Sequence, residues 1–165
     1  FHCLPASADQ EAYRNEHKME LNKYPGFTLA PCQLRPHSIG TIGLRSGDPL
    51  DTPVIRPNYL QHERDQEVVI RSLRIGRNIA AQAALDKYRG DEDLPGAELQ
   101  TDDELLAFAR ENGSTLYHPV GTCRMGSDEA SVVTPELKVR GVEGLRVIDA
   151  SVMPRIVSGN TNAAT

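Results

Sequence analysis

The rhythm of apolar and polar positions changes several times along this chain, and each change predicts a different element. Phe1 to Ala6 is short, apolar and ended by Pro5, the pattern of a strand whose start lies upstream. Ser7 to Gly26 is polar with little periodicity and reads as an excursion between strands. Phe27 to Arg35 and Ile39 to Arg45 alternate or run β-branched on either side of Pro36, His37 and Ser38, so they are predicted to be neighbouring antiparallel strands. Asp48, Pro49, Asp51, Pro53 and Pro57 then break the chain into loop. From Glu63 to about Tyr88 the period becomes helical, with Val69, Leu73, Gly76, Ala80 and Ala83 or Ala84 three or four apart. A second helix is punctuated by Thr101 as N-cap, Glu104 three residues on, Asp102 and Asp103 at its positive end, and Gly113 at its stop. Strands are predicted again at Thr115 to His118, Val132 to Thr134 and Leu145 to Asp149, with Gly141 and Gly144 turning the chain between the last two. The sum is an α+β architecture, an antiparallel sheet backed by helices.

Composition narrows the class. Hydrophobic residues make up 39% of the 165 positions, which excludes disorder, and neither collagen nor a coiled coil fits the pattern. The 18 basic and 23 acidic side chains are interspersed, so there is no clustered basic face for a phosphate backbone and nucleic acid is excluded as a partner. No apolar run approaches the ~20 residues that cross a bilayer. The expectation is a cytoplasmic chain, with peripheral attachment to a membrane as the alternative. Cys3, Cys32 and Cys123 form no CxxC pair and suit packed, reduced thiols rather than a metal knuckle or a disulfide framework. Asn112-Gly113-Ser114 is formally a glycosylation sequon, but Asn-Gly is also what a helix stop wants.

The chemistry concentrates in the last third. In Tyr117-His118-Pro119-Val120-Gly121-Thr122-Cys123, proline biases the residue before it towards extended geometry, which holds an imidazole in one direction. Such a group suits a general base, although a lone histidine at a strand end is also an ordinary structural residue. Further on, Leu145-Arg146-Val147-Ile148 reads as a buried strand ending in Asp149, Ala150 and Ser151, a carboxylate where α/β folds commonly bind ligands. Ser158-Gly159-Asn160-Thr161-Asn162 then reads as a turn that starts a helix, with Asn160 or Thr161 as cap and free amides that favour negative charge. A plain strand, loop and cap explains the same residues.

Together these strings resemble the glucose-methanol-choline (GMC) oxidoreductases, flavoproteins that oxidise alcohols. The likeness covers nearly the whole chain. It is strongest in Ser114 to Gly126 and Val139 to Thr165, and weaker in Cys32-Gln-Leu-Arg-Pro, Arg56-Pro-Asn-Tyr-Leu and Tyr88-Arg-Gly. The branch it is most similar to is that of choline-dehydrogenase-like bacterial alcohol dehydrogenases. The resemblance implies FAD as cofactor and His118 as the base that takes the alcohol's hydroxyl proton during hydride transfer to flavin N5. Asn160 would stand at the partner position, which is histidine in some members. Asp149, Ala150, Asn160, Thr161 and Asn162 would approach the cofactor, and no metal is implied. The substrate would be a small primary alcohol. Its electrons would pass to a quinone, another carrier or oxygen. A quaternary ammonium would want aromatic faces, and this chain has no Trp.

The family's N-terminal GxGxxG turn occurs nowhere in these residues. With Phe1 at one end and Thr165 at the other, the chain is expected to be a C-terminal piece of a longer protein. Residues 1–130 would then belong to the substrate-binding domain and 131–165 to a return into the FAD domain. Alone, such a piece is expected to bind FAD poorly and to be inactive. The competing expectation is a non-enzymatic remnant or interaction module that keeps the fold without the cofactor.

Overall fold

The computed structural model describes residues 1–8 and 20–165, so most of the excursion predicted over Ser7 to Gly26 lies outside the described residues. The chain divides into two compact units, one made of Phe1–Gln33 and Gln66–Gly113, the other of Leu34–Asp65 and Ser114–Thr165.

In the first unit, β1 (His2–Leu4) pairs antiparallel with β2 (Thr28–Ala30), Cys3 lying opposite Leu29. The pairing continues beyond the strands. Ala8 bridges Leu21, the Asn22 amide donates to the Ser7 carbonyl at 3.0 Å, and the Thr28 hydroxyl donates to the Ala6 carbonyl at 2.9 Å. Helix α1 (Glu63–Ala80) carries Val69, Leu73, Gly76 and Ala80 half-buried on one face, as the period predicts, with Ile70 buried beside them. It ends earlier than Tyr88, and a separate 3₁₀ turn occupies Ala83–Leu85. Arg77 ties the following loop back to the helix. Its Nε donates to Glu92 at 2.8 Å, and its two terminal nitrogens donate to the carbonyls of Leu99 and Gly96, each at 2.8 Å.

Helix α2 (Asp102–Asn112) begins with the predicted capping box: Thr101 Oγ1 accepts from the Glu104 amide, and Glu104 Oε2 accepts from the Thr101 amide. Those backbone donors, Thr101 first and Gln100 second, hold the Glu104 carboxyl below the usual carboxylate range. The helix buries Leu105 and Ala109, and Leu105 has no exposed surface. Gly113 stops it in an extended backbone rather than a left-handed one. Only glycine fits there, because a Cβ would lie 2.4 Å from the Ala109 carbonyl oxygen that accepts the Gly113 amide. Thr101→Ala should lower stability by about 1 kcal/mol, the usual worth of an N-cap. Urea denaturation checks this, and an unchanged midpoint would mean that the box contributes nothing.

The second unit holds β3 (Thr41–Gly43) and β4 (Val54–Arg56), antiparallel with Ile42 opposite Ile55. This corrects two expectations. The segments around residues 28–30 and 41–43 are not partners; the first pairs with β1 and the second with β4, which the proline-rich stretch read as loop supplies. Pro53 and Pro57 flank β4 without entering it, so the ladder keeps its donors. Gly40 permits the close approach at the end of the pair, since a Cβ there would sit 2.5 Å from the Arg56 carbonyl oxygen. Among the described residues there are therefore two small antiparallel sheets and two α-helices, an α+β content without one continuous sheet.

Three further predicted strands are absent. Thr115 to His118 is irregular, because the Thr115 hydroxyl accepts the Tyr117 amide at 3.0 Å and Tyr117 turns at φ 60°. Val132 to Thr134 and Leu145 to Asp149 are reduced to single bridges, Val133 with Met125 and Val139, and Lys138 with Arg146. Gly141 and Gly144 do turn the chain between them, at φ 76° and 72°. The core of this unit is Val133, Val152 and Met153.

Candidate active site

His118 is placed by the chain on both sides of it. Upstream, the left-handed turn at Tyr117 reverses the backbone; downstream, Pro119 fixes φ and Gly121 adopts φ 88°, which a side chain would resist. The Gly121 and Cys123 amides both donate to the Ser151 carbonyl, at 3.1 and 3.0 Å, and the Met125 amide donates to the Val152 carbonyl at 2.8 Å. These three bonds seat the His118 string against the segment that leads to Asn160.

Ser151 is held in turn by Asp149. The Asp149 carboxylate accepts the Ser151 amide at 2.8 Å and caps a 3₁₀ turn over Ala150–Val152. The Ser151 hydroxyl and amide keep its carboxyl below the usual range. Asp149 itself is exposed and Ala150 half-buried, and the buried strand predicted before them is largely exposed, with Ile148 at 73%. A single bridge does not give that segment a sheet to pack on.

Across from His118, Asn160 and Asn162 are exposed and Thr161 is buried. The backbone reaches this point through a second left-handed residue, Ser158 at φ 64°, whose hydroxyl accepts from Arg35 Nε at 2.7 Å. Where a helix start is predicted, residues Asn162–Ala164 form a 3₁₀ turn. Thr161 occupies the cap position, yet its hydroxyl makes no capping bond. Instead Thr161 Oγ1 lies 3.2 Å from His118 Nδ1. His118 and Thr161 are thus brought together. No hydrogen bond joins Asn160 to His118 among the described residues; Asp149 acts locally on Ser151, and the Ala150 carbonyl accepts the Met153 amide. The Thr161 contact was missed in the sequence because a threonine in that string reads as an ordinary cap.

Arg124, next to Cys123, is paired with Asp128 through both terminal nitrogens, at 2.9 and 2.6 Å. The guanidinium holds the Asp128 carboxyl at about 2. The folded value lies below the unfolded one of ~3.9, so the pair's contribution is complete above about pH 4 and fades as the pH falls. The unfolding midpoints of wild type and Asp128→Asn should therefore converge as the pH drops from about 4 towards about 2. A gap that stays constant over that range would assign the effect to something other than this carboxylate. All three cysteines are free thiols, Cys3 at the surface rather than packed, and Asn112 ends α2 with its amide donating to the Phe108 carbonyl.

The GMC oxidoreductase family model matches residues 36–165. The chain is 46% identical over all of its length to an alcohol dehydrogenase [acceptor] of Pseudomonas putida, of which it covers 29%. It is 44% identical, again over all of its length, to an oxygen-dependent choline dehydrogenase of Cronobacter sakazakii, covering 28%. Among solved structures, pyridoxine 4-oxidase from Mesorbium loti aligns with a TM-score of 0.75 and 36% identity, over 79% of this chain and 26% of that one. An FAD-dependent oxidoreductase from Chaetomium thermophilum aligns with a TM-score of 0.74 and 36% identity, over 79% and 23%. The chain belongs to the GMC oxidoreductase family and spans less than a third of the length of these relatives. Among the described residues no helix is long and apolar enough to cross a membrane.

Proposed function

We propose that this chain is the C-terminal part of an FAD-dependent oxidoreductase that oxidises a primary alcohol to an aldehyde, with His118 as the base. Residues 1–130 contribute to a substrate-binding domain and residues 131–165 to the FAD-binding domain. The observation that carries the reading is the His118 ring, half-buried and tied at Nδ1 to a buried hydroxyl. Among the described residues no hydrogen bond engages Nε2. That nitrogen takes the hydroxyl proton, and the exposed Asn160 amide donates to the same substrate oxygen without competing for the proton.

The segment from Gly159 to Ala164 fits a flavin. A Cβ added at Gly159 would meet nothing, Ala163 and Ala164 are small, and the side-chain amides of Asn160 and Asn162 are exposed and neutral. These residues, Thr161 and the capped turn at Asp149 and Ala150 would hold the cofactor. When bound, FAD supplies N5 as the acceptor of the hydride leaving the alcohol carbon. The chain's own residues hold the substrate oxygen and remove its proton, which favours hydride departure from the nascent alkoxide.

Mixing the full-length protein anaerobically with a panel of alcohols tests the reading. Primary alcohols should bleach the flavin absorbance, and a panel that leaves the oxidised spectrum intact would exclude the activity. Reoxidation under air with release of peroxide would mark an oxidase, and reoxidation only by a quinone or another carrier a dehydrogenase.

A further inference from the structure

The geometry points to Thr161 as the positioning residue that sets the tautomer of His118, an inference that rests on His118 being the base. Thr161 is 5% exposed, one of few buried polar side chains among the described residues. Its carbonyl accepts the Ala164 and Thr165 amides at 3.0 and 3.1 Å and the Thr165 hydroxyl at 2.9 Å. The backbone is thereby pinned, and a β-branched side chain has little χ1 freedom of its own. The hydroxyl, free of the capping role that its position offers, is directed at Nδ1 of a ring 43 residues away in sequence.

A hydroxyl can donate or accept, so the direction of this bond decides what His118 can do. If Thr161 donates to Nδ1, the ring proton sits on Nε2, and Nε2 has no lone pair for a substrate proton. If Nδ1–H donates to Thr161 Oγ1, Nε2 carries the lone pair and is the base. Once Nε2 has taken the proton, both ring nitrogens are donors, and Oγ1 still accepts from Nδ1–H. An acceptor opposite Nδ1 therefore serves the ring before and after proton uptake, and the bond strengthens as charge develops. The ring's other support is the backbone, held through the Gly121 and Cys123 amides on Ser151.

The test compares Thr161→Val, Thr161→Ser and His118→Ala with wild type in the full-length, FAD-loaded protein. Three quantities are read: the limiting rate of flavin reduction by a saturating alcohol, the FAD content, and the ¹⁵N signals of the His118 ring, assigned by their loss in His118→Ala. Thr161→Val should slow reduction roughly tenfold, the scale of one lost hydrogen bond, and the loss should persist when FAD is added to saturation. Its ring signals should move from the Nδ1–H towards the Nε2–H pattern, and Thr161→Ser should restore both rate and pattern. A fast Thr161→Val beside a slow His118→Ala would overturn the inference and leave the base in place. A Thr161→Val whose rate and ring pattern return to wild type at saturating FAD would leave the residue a cofactor contact alone and overturn the inference. A Thr161→Ser as slow as Thr161→Val would show that the hydroxyl is not what matters. A His118→Ala that reduces at the normal rate would remove the base reading itself.

Discussion

Replacing His118 with alanine in the full-length protein is expected to slow flavin reduction by an alcohol by ~10²- to 10⁴-fold, with FAD still bound. The size follows from what the truncation removes. At neutral pH an alcohol hydroxyl surrenders its proton only to a positioned acceptor, and a ring whose Nδ1–H donates to Thr161 Oγ1 offers one at Nε2. The bonds that seat the segment are all main-chain, Gly121 and Cys123 to Ser151 and Met125 to Val152, so they survive the substitution. The core of the unit, Val133, Val152 and Met153, also keeps every side chain. Lost activity should therefore appear in the rate of reduction and not in cofactor content. Anaerobic stopped-flow measurement at saturating alcohol separates the two, and reduction at the wild-type rate would take His118 out of the mechanism.

How much of this was legible in the sequence depends on how local the governing interaction is. The α2 capping box is set by residues three apart, and it forms as read. The buried face of α1 follows from a periodicity that needs no partner to be specified. Strand pairing is different, because an alternating run states that it has two faces but not which run lies beside it. Residues 28–30 pair with 2–4, and residues 41–43 with 54–56 beyond a proline-rich loop, although the short Pro36-His37-Ser38 link suggested a hairpin. The strings around His118 and Asn160 could be singled out by their chemistry and their resemblance to a family. The bonds that join them, a shared Ser151 carbonyl and a threonine hydroxyl, depend on residues far apart in sequence.

Asp65 is such a long-range connector, and Asp65→Ala is expected to cost roughly 2–4 kcal/mol, because it removes a buried carboxylate that accepts two backbone amides at once. The side chain is only 2% exposed. It accepts the His37 amide on both oxygens, at 2.9 and 3.0 Å, and the Ser38 amide at 2.7 Å. Ser38 replies by accepting the His62 amide on its hydroxyl at 3.0 Å, and His62 Nδ1 accepts the Arg64 amide at 3.1 Å. The first turn of α1 and the loop at residues 36–38 thus satisfy each other's orphan amides, and the negative charge sits at the favourable end of the helix. Asp65→Asn keeps the shape but sets an amide N–H₂ against amide donors, so it should fall between wild type and Asp65→Ala. Chemical denaturation of the full-length protein measures the order, and an Asp65→Ala within about 0.5 kcal/mol of wild type would reduce the carboxylate to a spectator. The same loop carries Arg35, which holds Ser158 two residues before Asn160. On the proposed reading of Asn160 as the donor to the substrate oxygen, loosening it should also raise the KM for the alcohol while His118 keeps its ring bond to Thr161.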